Sequence, residues 1–205
     1  MKRGLLFILS VLCLAELTAC NVMRPISVTP EKTYTIMQWP KKINVVPQYA
    51  TTQKTLLVTT PIAAPGFESS QMIYVEVPYQ LKSYANHRWV APPASLLLPL
   101  IANRLSAAHY FKAVVESPFS GMAEFQLNMQ LFTLQQEFLQ PDSCVRLRIG
   151  VTLIRIATGD VLANHIFETT VPSPRNNPYS GVLATNEAAT RLSDEIAQFT
   201  IKRLS

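Results

Sequence analysis

Apolar and polar residues alternate along the second half of the chain, a pattern typical of β-strands with one buried face. The first run covers residues 124–131, where phenylalanine, leucine and methionine alternate with glutamate, glutamine and asparagine. A second run covers residues 145–153, and after the turn residues 157–160 a third extends over 161–171. We therefore predict three long antiparallel strands, each with one polar and one apolar face.

Shorter segments of β-branched and apolar residues precede this region. They predict further strands at 34–37, 54–60, 72–77 and 111–116, with 79–84 as a hairpin partner of the strand at 72–77. The stretch at 40–53 contains no clear period and is predicted to be a loop.

Two segments have the helical period instead. The first follows Pro92–Pro93, a pair that suits a helix start, and Pro99 predicts either a kink or a later start. The second runs from about Gly181 to Leu204, with an apolar stripe that includes Leu192 and Ile196. The coarse order β-β-β-α-β-β-β-β-α predicts an α+β fold. We expect a mostly antiparallel sheet with two amphipathic helices packed on one face, as an α/β sandwich.

The N-terminus has the pattern of a bacterial lipoprotein signal. Lys2 and Arg3 precede an apolar run at 4–14, which is far shorter than the roughly twenty residues of a membrane-spanning helix. Small residues then lead directly to Cys20, which is the lipobox pattern. We predict a signal peptide at 1–19 and covalent lipid, palmitate among its acyl chains, on Cys20.

The residues after Cys20 predict where the protein resides. Residues 20–32 contain two prolines and no period, so we expect a lipidated tether of about a dozen residues, spanning at most roughly 40 Å. Residues 33–205 are then one folded domain. Because Asn21 stands where Asp is the usual inner-membrane signal, we expect an outer-membrane anchor with the body on the periplasmic face.

The amino-acid composition gives little indication of nucleic-acid binding, metal binding or catalysis. The net charge of +5 comes without a Lys/Arg run, so nucleic-acid binding is not expected. His87, His109 and His165 have no metal-ligand spacing, and Cys144 is predicted to be a buried thiol without a disulfide partner. We expect no enzyme activity, no metal and no cofactor other than the covalent lipid.

One segment, Tyr79–Pro93, combines aromatic residues, cations and a histidine beside the predicted helix start. In one interpretation it is a hairpin and corner in which Trp89 fills the core while Pro92–Pro93 sets the helix. In the other it is a partner-binding edge in which Tyr84, Arg88 and Trp89 contact another protein, since such residues favour interface hot spots.

This segment, with its Tyr-x-Asn-His-Arg-Trp-x-x-Pro-Pro motif at Tyr84–Pro93, resembles the ABC-type transport auxiliary lipoproteins, the PqiC/YmbA-like intermembrane transport lipoproteins. The lipobox, Tyr34–Ile36, Leu56–Val58, the alternating strands and the C-terminal helix follow in the same order.

The resemblance implies a non-catalytic docking component that binds an MCE-domain protein of a lipid transport system. It also implies self-association, since MCE assemblies are ring-shaped. The alternative is a lipoprotein that regulates a cell-wall enzyme. The short tether disfavours this alternative, because such regulators usually need a long linker.

Overall fold

A computed structural model describes residues 30–38 and 51–205. The predicted signal peptide, Cys20, most of the tether and most of the predicted loop at 40–53 lie outside the described residues. Within the described part, residues from Glu31 onward belong to a unit that ends at Ser205.

The described residues form nine strands and two helices. The strands are β1 Lys32–Tyr34, β2 Thr55–Val58, β3 Ile62–Ala63, β4 Gln71–Val75, β5 Lys82–Trp89, β6 Ala113–Glu116, β7 Phe125–Glu137, β8 Cys144–Arg155 and β9 Asp160–Pro172. The helices are α1 Pro93–Ala107 and α2 Pro178–Lys202. The three long alternating strands and both helices are confirmed. The β4–β5 hairpin is present, but its second strand is Lys82–Trp89 and residues 79–81 of the predicted 79–84 lie in the turn.

The long strand β7 organises the sheet. Along one edge it pairs antiparallel with β8, which pairs antiparallel with β9. Along its other edge β7 pairs in turn with β2, β3 and β4, all parallel. Three further strands pair with the strands β2 and β4 or extend from them. Strand β6 pairs parallel with β2, and β5 pairs antiparallel with β4. Strand β1 then pairs parallel with β5.

The sheet is therefore mixed, and the prediction of a mostly antiparallel sheet is wrong. The α+β class itself is confirmed. Strands that follow one another along the chain and are joined by tight turns pair antiparallel, and these are the strands that the alternation of apolar and polar residues identified. The parallel pairs join strands that are distant in sequence, and alternation carries no information on their relative direction.

The core follows the apolar positions of the long strands. The buried residues of β7 and β8 alternate with less buried ones, except between Leu131 and Thr133 and at the end of β7, where Gln136 and Glu137 are both buried. Helix α2 contacts β8 and β9, while α1 contacts α2 and β6. An ion pair from Arg104 to Asp194 also joins the two helices. The two-layer sandwich with both helices on one face stays a prediction.

Proline sets the start of each helix. Pro93 and Pro178 occupy the first helical position, where a missing N–H leaves no hydrogen bond unmade. The Asn177 side chain accepts a hydrogen bond from the Ser180 N–H at 2.9 Å and so caps α2. Helix α1 continues through Pro99, which is exposed, so water can satisfy the carbonyl left without a partner.

Among the described residues, no helix combines the length and the apolar character needed to cross a membrane.

Candidate partner-binding site

The motif segment forms β5, between β4 and the short β1. Register places Lys32 opposite His87, Thr33 opposite Arg88 and Tyr34 opposite Trp89. Because β1 follows directly on the predicted tether, β5 lies one strand away from the point where the chain enters the folded body.

A series of aromatic rings crosses this part of the sheet from the end of β7 to the start of α2. We call it the aromatic series; its members are Phe138, Tyr74, Tyr84, His87, Tyr34 and Tyr179. Centroid separations between successive rings are 6.1, 4.5, 5.9, 6.0 and 6.1 Å. These separations lie in the range of favourable ring contacts, so the series binds β7, β4, β5, β1 and α2 together.

Beneath the aromatic series lies a buried amide. The Tyr84 hydroxyl donates to Gln136 Oε1 at 2.9 Å, and Gln136 Nε2 donates to Ser143 Oγ at 3.0 Å and Ser173 Oγ at 3.3 Å. Gln136 is 4% exposed. Its hydrogen bonds connect β5 and β7 with the segments that flank β8 and β9, so Tyr84 has a structural role in this network.

Burial also sets the protonation of two rings in the series. Burial raises the pKa of Tyr84, and the neighbouring Tyr74 and Glu76 raise it further. Burial lowers the pKa of His87, and the charge of Lys32 lowers it too. Tyr84 therefore keeps its proton for Gln136, and His87 is biased toward the neutral form.

The three predicted contact residues have different environments. Trp89 is 4% exposed and belongs to the core, as the core interpretation of the motif expects. Tyr84 is half-buried, whereas Arg88 is exposed and forms an ion pair with Glu31. Of the three, Arg88 offers the most accessible side chain to a partner.

The turn between β4 and β5 carries exposed apolar side chains that the sequence did not single out as contacts. We call residues 77–81 the hairpin tip. Val77 is 54% exposed, Tyr79 104% and Leu81 46%. Tyr79 also has a positive φ of 68°, which is uncommon for a bulky residue. The sequence signals for this tip were the apolar pair flanking Pro78 and the start of the Tyr79–Pro93 segment.

The described residues contain no group of three or more His, Cys, Asp or Glu side chains able to hold a metal ion. Cys144 is a partly buried free thiol, and burial raises its pKa.

Two solved structures share this fold. Protein XCC0632 from Xanthomonas campestris is 18% identical with a TM-score of 0.74, and the match covers 84% of this chain and 96% of that one. An uncharacterized protein is 13% identical with a TM-score of 0.65, and the match covers 83% of this chain and 99% of that one. At such identities the likeness shows the fold alone.

No curated protein matches the chain. A family model, described as the ABC-type transport auxiliary lipoprotein component, matches residues 34–197. The match includes the Tyr84–Pro93 motif and confirms the resemblance drawn from it. The chain therefore belongs to the family of ABC-type transport auxiliary lipoproteins.

Proposed function

We propose that this protein is the accessory lipoprotein of an MCE/ABC-type intermembrane lipid transport system. It is anchored in the outer membrane, faces the periplasm, docks an MCE-domain protein and catalyses no reaction. The observation that carries this proposal is the family match over residues 34–197. The lipobox at Cys20 supports the anchor, and the surface of β5 supports the docking.

The anchor has a direct test in Asn21. Asn21→Asp places at that position the usual signal for inner-membrane retention. On a density gradient of membranes, we expect the parent protein in outer-membrane fractions and the variant in inner-membrane fractions. Equal distribution of the two would contradict the proposed sorting, and Cys20→Ala should abolish lipidation altogether.

The docking surface runs along β5 from the hairpin tip to Arg88. Ser83 and Ala85, the residues that face solvent between these ends, are small, so the surface between them is open to a partner. The tip adds exposed Tyr79, and aromatic and arginine side chains are enriched in interface hot spots. Trp89 supports the strand from the core side and is not itself a contact.

Pull-down of the lipidated protein with the MCE-domain protein tests this surface. Tyr79→Ser and Arg88→Ala should each reduce capture by about tenfold, as expected for loss of one hot-spot side chain. Met122→Ser is the matched control. Met122 is 94% exposed and lies just before the first residue of β7, at the other end of that strand from the hairpin tip. If Tyr79→Ser and Arg88→Ala both capture as much MCE-domain protein as the parent does, and membrane integrity in cells is unchanged, β5 is not the docking surface.

We also propose self-association, because the resemblance to this family implies a ring-shaped MCE partner. Light scattering of the detergent-solubilised protein should then give a mass of several chains, and a monomer at all concentrations would contradict it.

A further inference from the structure

An open groove separates the segment after β1 from the exposed side of α2. Its volume is about 870 Å3, within the range of small-molecule pockets. One wall is formed by residues 33–38 and the other by α2 residues between Tyr179 and Arg191. Those helical residues are spaced three or four positions apart, so they lie on one face of the helix. They extend over about 18 Å along its axis, so the groove is long.

The groove walls combine exposed apolar side chains with exposed polar ones, which are Thr33, Gln38, Glu187 and Arg191. Met37 is 48% exposed, Leu183 45% and Tyr179 56%, while Val182 at 6% closes the helix side beneath them. A charged pair, Glu187 with Arg191, lies on the same helix face. Exposed apolar side chains gathered along a concave surface indicate a site for an apolar ligand.

Hydrogen bonds between Asn186 on α2 and the backbone of Thr35 and Met37 tie the two walls of the groove together. Asn186 Oδ1 accepts from the Met37 N–H at 2.8 Å, and Asn186 Nδ2 donates to the Thr35 carbonyl at 3.2 Å. Ile36 between them is 3% exposed and anchors the segment in the core. This amide therefore fixes the distance between the two walls, and the cavity is formed before a ligand arrives.

The position of the groove next to the tether indicates which apolar ligand reaches it. The wall begins at Thr33, directly after the predicted lipidated tether. Because about a dozen tether residues span at most roughly 40 Å, the start of the groove at Thr33 stays within that distance of the bilayer that holds Cys20. This step rests on the proposed function, since it requires the lipid anchor.

We propose that the groove takes an acyl chain of a bilayer phospholipid. The methylenes lie between Met37 and Leu183, and Tyr179 lies at the level of the interface, where amphipathic rings are favoured. The body would then rest on the membrane with α2 beside it, which sets its orientation toward the partner.

Photo-crosslinking tests the site with the full lipidated protein in vesicles of phosphatidylethanolamine and phosphatidylglycerol. A fraction of the phosphatidylglycerol carries a diazirine in one acyl chain. We expect adducts on peptides covering 33–38 and 178–191. Leu183→Gln should reduce them at least about fivefold, because it replaces an apolar wall of the groove. Leu139→Gln is the matched control: its leucine is 43% exposed but does not line the groove.

Adducts confined to residues 20–32, or equal adducts in Leu183→Gln and the parent, would overturn the proposal. In a parallel sample treated with a bifunctional amine-reactive reagent, crosslinks between two protein chains at the groove, without lipid adducts, would also overturn it and assign the groove to a second copy. Melting temperatures of both variants check that they fold. If MCE capture and Cys20 lipidation persist while the groove is not labelled, this inference fails alone; loss of lipidation or capture in the parent protein contradicts the proposed function instead.

Discussion

At the scale of single residues, Gln136 and Gly181 determine how α2 meets the sheet. An added Cβ on Gly181 would lie 2.2 Å from Gln136 Oε1, a separation that atoms do not tolerate. The glycine therefore makes room for the buried amide, which in turn receives the Tyr84 hydroxyl.

We expect Gly181→Ala to lower the free energy of unfolding by about 2 kcal/mol, because the methyl group displaces Gln136 from its hydrogen bonds. Urea unfolding measures the change. In a Gln136→Ala background the same substitution should be neutral or should stabilise by up to about 1 kcal/mol, since alanine favours helix over glycine. An equal loss in both backgrounds would show that the amide is not the cause.

Trp89 and Arg88 show what a motif reveals about individual side chains. The motif predicted the family, but it could not say which of its residues face solvent. Adjacent strand residues point to opposite faces, and the face that is covered depends on elements elsewhere in the chain. Only the assembled sheet places Trp89 inside and Arg88 outside.

At the scale of elements, the Asn186 side chain attaches the N-terminal segment to α2. Its contact with Met37 joins residues that are 149 positions apart. No local pattern predicts such a contact, whereas the periodicity of α2 itself was evident.

We expect Asn186→Ala to speed hydrogen exchange of the Met37 amide by about tenfold, because that N–H loses its hydrogen bond to Asn186 Oδ1. Mass spectrometry of the peptide that contains Met37 provides the measurement. Asn164→Ala is the control: Asn164 donates to Thr152 at 2.7 Å on the sheet and does not contact the N-terminal segment. Unaltered exchange in Asn186→Ala would mean that β1 pairing and Ile36 alone hold the segment.

The strands β7, β8 and β9 are linked by charge as well as by backbone hydrogen bonds. Arg146 on β8 donates to Glu137 Oε1 at 2.8 Å on β7 and also pairs with Glu168 on β9. Burial alone would raise the pKa of Glu137, but hydrogen bonds from Arg146 and Gln135 outweigh it and hold that pKa below its usual 4.5.

This pKa shift predicts a loss of stability in acid. The folded protein binds fewer protons at Glu137 than the unfolded chain does, so the stabilisation present above pH 4.5 is lost as pH falls through the folded pKa. We expect the free energy of unfolding of the parent to fall more steeply below pH 4.5 than that of Glu137→Gln. Parallel profiles from pH 7 to pH 3, measured by urea unfolding, would contradict this.

Most elements could be predicted from the sequence because they are long enough to show a period. The strand β3 has two residues and could not be. Helix α1 was predicted to have a kink at Pro99 or to begin later; it begins at Pro93 and continues through Pro99, where exposure of the turn lets water replace the missing hydrogen bond.

At the scale of the whole molecule, the fold class was predictable and the sheet topology was not. Parallel pairing of β2, β3 and β4 along one edge of β7 depends on crossovers that local patterns do not specify. The same limit applies to the groove, which forms where residues 33–38 meet the distant helix α2. The family could be inferred from a motif because a motif is local.

The proposed lipid anchor, groove ligand and docking surface together would hold the body near the membrane with β5 available to a partner. The tether enters at β1, and β1 pairs directly with β5. Orientation of the body by the groove would therefore also orient the proposed docking surface.

Affinity purification of the lipidated protein from chemically cross-linked cells tests most directly whether it docks an MCE-domain protein. We predict that mass spectrometry finds the MCE-domain protein and its ABC permease enriched with the parent and with Met122→Ser, and depleted at least about tenfold with Tyr79→Ser. Enrichment of a cell-wall synthase in their place, or no enrichment of the MCE-domain protein with the parent, would contradict the proposed function.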